Sequence, residues 1–366
     1  MPVTEDIAPR SGYRAAIIGT GFMGRVHAGA VRVAGGSVVG LVGSTVDKAA
    51  EAVDALGADG VFADAAEAIA SPDVDVVHVC TPNHLHSELA LAALEAGKHV
   101  VCEKPLATDA RSAQTLTDAA KRGGRVATVP FVYRFHPMVR EARELVRRGS
   151  IGTVTLAHGG YLQDWLLRPE DDNWRVDPDI GGRTRAFADI GSHWCDLLEF
   201  VTGQRITRLS AQLSTVNPRR GAASATEDIA TLQFNTDAGA VGTSVISQVS
   251  AGRKNRLHLE VSGSDATLHF DQEQPELLWL GGRQRSSVLV RDPETLTPPA
   301  ARLAVVPSGH PQGYQDCFNA FVADTRAAID GETPDGLPTF ADGLRAARLA
   351  EAVLESARDN AWVEVE

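Results

Sequence analysis

A short apolar run, Ala15-Ala16-Ile17-Ile18, leads directly into Gly19-Thr20-Gly21-Phe22-Met23-Gly24, and a helical pattern from Phe22 to Val33 follows. That order of strand, G-x-G-x-x-G turn and helix leaves few folds open. The first glycine permits a tight turn, the second lets main chain approach a bound pyrophosphate, and the third lets the helix pack closely on the strand. The N-terminus of the helix then offers free N–H groups and a partial positive charge to phosphate. Alone, the motif could equally be a turn without a ligand; its surroundings carry the argument. Strand candidates at Val38–Val42, Val74–Val79, His99–Cys102 and Arg125–Val129 alternate with helical runs at Asp47–Leu56, at an Ala/Leu-rich stretch ending at Ala96 and capped by Gly97, and at Thr108–Lys121. Short runs apolar on both faces, alternating with helices, predict a parallel sheet covered on both sides, that is, an α/β Rossmann domain that holds a dinucleotide.

The chain has 366 residues, enough for two domains at roughly 150 residues each. The pattern changes after a helical run that begins past Pro137, reaches Arg148 and is closed by Gly149. Strand candidates follow at Val154–Ala157, Ile206–Leu213, Asp228–Phe234, Val241–Val249, Leu257–Val261 and Ala266–Phe270. Leu257-His258-Leu259-Glu260-Val261 alternates with period two, as a strand with one wet face should. A helix from about Ile190 to Val201, stopped by Gly203, interrupts the strands, and helices at Gln315–Ile329 and Phe340–Arg358, the second N-capped by Thr339, close the chain. Arg283 to Arg302, polar and proline-bearing, is expected to be loop. The expected organisation is a dinucleotide-binding domain over 1–136 and a largely antiparallel α+β domain over 137–366, with the last helix free to return to the first domain. Met1 to Gly12 reads as a loose lead-in.

The net charge of −12 opposes nucleic acid or an anionic membrane as the main partner, because both need a positive field. Cys80, Cys102, Cys195 and Cys317 are scattered, with no C-x-x-C pair, so reduced thiols are expected rather than disulfides or structural zinc. No secretory pattern and no run near the roughly 18 apolar residues of a membrane span is present, and the expected compartment is the cytoplasm.

The end of the second strand bears on which dinucleotide is held. An acidic residue there would bind the ribose 2′-hydroxyl and repel a 2′-phosphate. The sequence instead has Gly43-Ser44-Thr45, with Lys48 nearby, and Asp47 reads as a helix-start residue. Ser44, Thr45 and Lys48 are therefore expected at the adenine ribose, and either NAD or NADP is compatible with them.

Two further clusters carry chemistry. Glu103-Lys104-Pro105 follows the strand His99–Cys102, at the carboxyl end of the sheet where ligands collect. Asp189, His193 and Asp196 are spaced by four and seven residues, which places them on one helix face. A histidine with carboxylate neighbours suits acid–base work, because a carboxylate fixes its tautomer; the competing reading is an N-capping Asp189 beside a half-buried histidine. His84 and His86 invite a metal reading, but two histidines two apart at a helix start do not face one site, no third ligand accompanies them, and no metal is expected. Tyr133-Arg134-Phe135-His136, Tyr161-Leu162-Gln163-Asp164-Trp165 and Asn173-Trp174-Arg175 mix aromatic rings with amide, acid and guanidinium groups, as a carbohydrate site does. Arg134, Gln163 and Trp165 are the expected substrate contacts, with Asp196 a further hydroxyl ligand; the alternative is core aromatics beside a solvated loop.

In order and spacing, Gly19–Gly24, Thr81-Pro82-Asn83 with His86, Gly97-Lys98-His99, Glu103-Lys104-Pro105 and Asp189-x-x-x-His193 resemble the glucose–fructose oxidoreductase / inositol dehydrogenase (Gfo/Idh/MocA) family. The resemblance runs over most of the chain. It implies a second domain built on a large open sheet, homodimers or homotetramers formed through that sheet, and an NAD(P)-dependent dehydrogenase acting on a hydroxyl of a sugar, polyol or glycoside. It also implies that Lys104, Asp189 and His193 are catalytic. His193 would take the hydroxyl proton, Lys104 would hold the developing alkoxide, and Asp189 would orient the group. Gly19, Gly21, Phe22, Met23, Gly24, Thr81, Pro82, Asn83, His86, Glu103 and Lys104 would line the cofactor cleft, with Glu103 on the nicotinamide side. Two other functions stand beside the dehydrogenase: a redox-assisted glycoside lyase or hydrolase that retains its NAD, and a non-enzymatic dinucleotide sensor. The presence of Lys104, Asp189 and His193 together argues against the sensor.

Overall fold

The computed structural model describes residues 12–217 and 226–365; all of the lead-in except Gly12 lies outside the described residues. Five parallel strands make the first sheet: β1 (Arg14–Ile18), β2 (Ser37–Val42), β3 (Val76–Val79), β4 (His99–Cys102) and β5 (Ala127–Thr128), ordered β2-β1-β3-β4-β5. All of β3 and all but the first residue of β1 and β4 are buried, because helices cover both faces. The covering helices are α1 (Phe22–Val33), α2 (Val46–Leu56), α3 (Ala65–Ala70), α4 (His86–Glu95) and α5 (Ala110–Gly123). The strand expected over Arg125–Val129 shortens to β5, since the Val129 N–H donates to Pro338 O rather than to the sheet. Strand order reverses between β1 and β3. Their carboxyl ends therefore flank a crevice, and Gly19 and Thr81 stand on its two sides.

The chain then runs through α6 (Pro137–Arg147), β6 (Val154–Leu162), the short α7 (Pro178–Gly181), α8 (Ser192–Thr202), β7 (Ile206–Ser214), β8 (Ile229–Thr236), β9 (Val241–Ser247), β10 (Arg256–Gly263), β11 (Ala266–Asp271), β12 (Leu277–Gly282), β13 (Ser286–Val290), the short α9 (Pro298–Ala301), α10 (Tyr314–Ile329), α11 (Phe340–Asp359) and β14 (Val363–Glu364). The second sheet has nine strands in the order β13-β12-β11-β10-β6-β9-β8-β7-β14, with β6 and β9 its parallel pair and every other neighbour antiparallel. Its inner face packs on α6, α8 and the end of α11 in a core that includes Trp194, Phe234, Phe270 and Val353. The period-two alternation read in Leu257–Val261 is observed: Leu257, Leu259 and Val261 point inward.

Two expectations are corrected. Arg283–Arg302 is not all loop, since it contains β13 and α9; β13 pairs with β12, a strand the sequence reading did not include. Ser286, Ser287 and Val288 are exposed on this edge strand, so they show no apolar alternation to read. The helix expected from Ile190 begins earlier, as a π-helical turn over Phe187–Gly191 that runs into α8. A side chain at Gly191 would meet the Phe187 ring at 2.5 Å, so the glycine makes room for this wider turn.

The last two helices return to the first domain. Phe318, Phe321 and Val322 of α10 join Ile17, Val31 and Val101 in one core. Phe340 and Leu344 of α11 pack with Val79 and Leu116, while Leu349 and Val353 further along pack with Trp194 and Leu209. α11 thus spans both cores and fixes how the domains meet. Phe321 is fully buried, so Phe321→Ala is expected to cost about 3–5 kcal/mol in urea unfolding followed by circular dichroism.

Candidate active site

The glycine turn is built as its motif requires. Gly19 has φ +110°, and a Cβ there would lie 2.4 Å from Cys80 O. A Cβ on Gly24 would lie 2.1 Å from Gly19 O, so this glycine sets how closely α1 meets the turn. Gly21, the N-cap of α1, has nothing within 4 Å of the place a Cβ would occupy, no side chain caps the helix, and its first turn has no acidic residue. The N-terminus of α1 is therefore uncapped and open beside Gly21, as the cradle for a pyrophosphate needs. Phe22 is exposed, and Met23 turns its sulfur towards the Tyr314 hydroxyl of α10 at 3.9 Å. After β2, Ser44, Thr45 and Lys48 are all exposed; the Thr45 hydroxyl accepts from the Lys48 N–H at 3.3 Å and caps α2.

Across the crevice, Thr81 Oγ1 is buried without a partner among the described residues at the carboxyl end of β3. Pro82 is half-buried, and the buried Asn83 donates its amide to Gly181 O of α7 at 2.8 Å, tying the domains together. His86, expected in the cofactor cleft, is instead a fully buried brace. Its Nδ1 lies 2.8 Å from Pro105 O and its Nε2 2.9 Å from Thr81 O, so both ring nitrogens are taken up by main chain. His84 is exposed, so the two histidines point apart.

Lys104 crosses from the first domain to the second. Its Nζ donates to Asp189 Oδ1 at 2.6 Å and to Asp189 O at 2.9 Å. The other carboxylate oxygen, Oδ2, accepts from Gln248 Nε2 at 2.8 Å, and Arg175 Nε stands 3.4 Å from Oδ1. Gln248 cannot turn over, because its Oε1 accepts from the buried Arg185 at 3.2 Å. Burial alone would raise the Asp189 pKa, but Lys104 and Arg175 outweigh it and hold the carboxyl well below its ordinary range.

His193, one turn past Asp189, is buried against Tyr133 (ring centroids 5.0 Å apart), Phe131 (5.6 Å) and Tyr161 (6.4 Å), and its Nδ1 has no partner among the described residues. Burial pushes its pKa well below 6.5, the nearby Lys104 cation adds to this, and Asp189 opposes it. At neutral pH the ring is therefore an uncharged base.

Beside it runs a polar ladder. Trp165 Nε1 donates to Gln163 Oε1 at 2.8 Å, and Gln163 Nε2 and the Tyr161 hydroxyl each donate to Asn255 Oδ1 at 2.7 Å. The Tyr161 and Tyr133 hydroxyls are hydrogen-bonded to each other. The structure thus brings Gln163 and Trp165 together. Arg134 and Asp196 are a correction: rather than facing a substrate they are buried against each other. Arg134 Nε donates to Asp196 Oδ2 at 2.8 Å, its Nη2 reaches Asp342 of α11 at 2.7 Å, and its guanidinium lies 5.0 Å above the Phe200 ring. Gln248 and Asn255, absent from the sequence reading, belong to the site. They lie at the end of β9 and just before β10, where no motif marks them.

The family model described as the oxidoreductase family with an NAD-binding Rossmann fold (GFO_IDH_MocA) matches residues 13–131, and its C-terminal domain model matches residues 139–269. Levoglucosan dehydrogenase of Pseudarthrobacter phenanthrenivorans is 32% identical over 342 residues, 87% of this chain and 86% of that protein. An oxidoreductase domain protein from Kribbella flavida superposes with a TM-score of 0.89 at 34% identity, covering 97% of this chain and 99% of that one. A levoglucosan dehydrogenase in complex with NADH and levoglucosan superposes with a TM-score of 0.90 at 30% identity, covering the same shares. An open glycine cradle, a cross-domain Lys104–Asp189 pair and both family models agree, and the chain is a member of the Gfo/Idh/MocA family of NAD-dependent oxidoreductases.

Proposed function

We propose that the protein oxidises a secondary hydroxyl of a sugar, polyol or glycoside, with His193 as the base. The observation that carries this is the convergence of the Lys104–Asp189 pair and the uncharged, unpartnered His193 on one place beside the polar ladder. Gly19, Gly21 and Gly24 would hold the pyrophosphate, Thr81 would offer its free hydroxyl to the cofactor, and Ser44 and Lys48 would meet the adenine ribose. When bound, the nicotinamide supplies the hydride acceptor. Lys104 donates a hydrogen bond to the reacting oxygen and stabilises the negative charge that develops on it. Asp189, held by Gln248 and Arg175, keeps the ammonium aimed. His193 takes the hydroxyl proton. Gln163, Asn255 and Tyr161 are suited to sugar hydroxyls, and Trp165 to a sugar's apolar face.

Sugars, inositols and anhydrosugars, tested with NAD and with NADP and followed by nicotinamide absorbance, are the direct assay; the levoglucosan dehydrogenase relatives put anhydrosugars first. Product without net absorbance change would point instead to a retained-cofactor lyase or hydrolase. Lys104→Ala and His193→Ala are each expected to lower kcat about 10²–10⁴-fold while NAD still binds. Full activity in both would overturn the mechanism.

Because burial and Lys104 keep His193 neutral, kcat/KM for oxidation should hold as the pH falls through 6.5 and decline only well below it. An acid limb centred at or above pH 6.5 in initial rates of NADH formation would contradict this base.

The outer face of the nine-stranded sheet leaves Leu156, Val245, Trp279 and Val288 exposed, and we propose it as the contact between copies in a homodimer or homotetramer. Val245→Lys combined with Val288→Lys should shift the mass measured by light scattering towards the monomer; an unchanged mass would place the contact elsewhere.

A further inference from the structure

One row of buried titratable side chains, three of them outside the machinery above, ends on Glu103. It runs through the first domain from Tyr13, ahead of β1, to His78 in β3, His27 in α1 and Glu103 after β4. The Tyr13 hydroxyl lies 2.9 Å from His78 Nε2. His78 Nδ1 lies 2.9 Å from His27 Nδ1, and His27 Nε2 lies 2.9 Å from Glu103 Oε1. Both histidines are 0% exposed, Tyr13 4% and Glu103 6%. The second oxygen of Glu103 accepts from the Lys104 N–H at 3.2 Å, so both carboxylate oxygens are partnered by protein.

The chemistry of these groups fixes the end of the row at Glu103. A carboxylate only accepts, so His27 Nε2–H donates to Glu103. His27 Nδ1 and His78 Nδ1 share the next hydrogen, and His78 Nε2 and the Tyr13 hydroxyl share the one after it. Every ring nitrogen in the row has a protein partner. Burial raises the Glu103 pKa, but His27 and Lys104 outweigh it and keep the carboxyl below its ordinary range. Burial lowers His78 well below 6.5 and raises the Tyr13 phenol, which therefore keeps its proton.

We propose that Tyr13, His78 and His27 are positioning residues: a buried hydrogen-bond relay that holds Glu103 as an oriented anion beside Lys104, at the nicotinamide end of the cleft. This rests on the reading of Lys104 as the residue that meets the reacting oxygen. The hydride acceptor must contact the carbon bearing that oxygen, so the neighbouring Glu103 lies close to the nicotinamide. The oxidised nicotinamide is cationic and the reduced one is not. A fixed anion in a poorly solvated cleft therefore favours the oxidised form, and how firmly it is fixed depends on the relay. The relay's role is to bias the cofactor equilibrium, with no proton passing along it.

The test needs no carbohydrate. Dissociation constants for NAD+ and NADH are measured by calorimetry for the wild type, His27→Leu, His27→Gln, Tyr13→Phe and Glu103→Gln, with melting temperatures taken alongside. Glu103→Gln and His27→Leu should weaken NAD+ about five- to tenfold relative to NADH. His27→Gln, which keeps a donor for Glu103, should restore most of the ratio, and Tyr13→Phe should shift it the same way by a smaller factor. A merely structural row would lower the melting temperature and leave the ratio unchanged, and that result in folded Glu103→Gln and Tyr13→Phe would overturn the proposal even if His27→Leu fails to fold. A shifted ratio in an enzyme that turns over no carbohydrate would leave the relay standing and the proposed reaction refuted. An unshifted ratio in an active dehydrogenase would do the reverse.

Discussion

The contact between Lys104 and Asp189 is the constraint around which the rest is arranged. It is a charged pair, largely buried, between groups 85 residues apart and from different domains. Such a pair is favourable only when geometry is good and the remaining lone pairs are satisfied, since removing both ions from water costs several kcal/mol each. The second domain meets that demand in layers. Asp189 Oδ2 takes the Gln248 amide, Gln248 takes Arg185, and Arg185 is itself paired with the buried Asp228. The first domain holds Lys104 by its backbone, through Glu103 and the histidines behind it. The lysine therefore sits between two carboxylates, each held by its own domain.

Holding such a contact requires the domains to meet in one way only. α11 contributes one end to each core, Asn83 hydrogen-bonds Gly181, and Arg134 joins the start of α8 to Asp342 in the first turn of α11. This explains why Arg134 and Asp196 are not free to meet a substrate. Their bidentate pair is part of the clamp, with Phe200 covering the guanidinium. His86 has a comparable part within the first domain, where it joins the turn after β3 to Pro105 and so supports the segment that carries Lys104.

Much of what is local in the chain was legible in the sequence. The glycine turn, the alternation of the first domain, the Thr339 cap and the Gly97 and Gly203 helix stops follow from propensities acting over a few residues. Asp189 and His193 were legible as a pair because helical spacing brings them together. The same periodicity misled at Asp196, whose side chain is claimed by an arginine from another element. Contacts made across long separations leave no periodic trace. Tyr13 and His78 are 65 residues apart and His27 and Glu103 are 76, and no pattern in the sequence links them. β13 escaped notice for a different reason: an exposed edge strand has no buried face to impose alternation.

Charge conservation in the cleft explains how so poor a base as His193 can serve the proposed reaction. Its ring is kept neutral by burial and by Lys104, which at first sight opposes accepting a proton. A bound oxidised nicotinamide would bring its own positive charge to the cleft and supply the hydride acceptor, so the charge that His193 gained in the proposed reaction would replace one given up there. The low-dielectric site would then be asked to move a charge and not to create one. Lys104 would meanwhile hold the oxygen that passes its proton to His193, and Asp189 faces Lys104 and His193. On the proposed reading the two carboxylates would serve the two ends of the same displacement, Glu103 beside the nicotinamide and Asp189 beside His193.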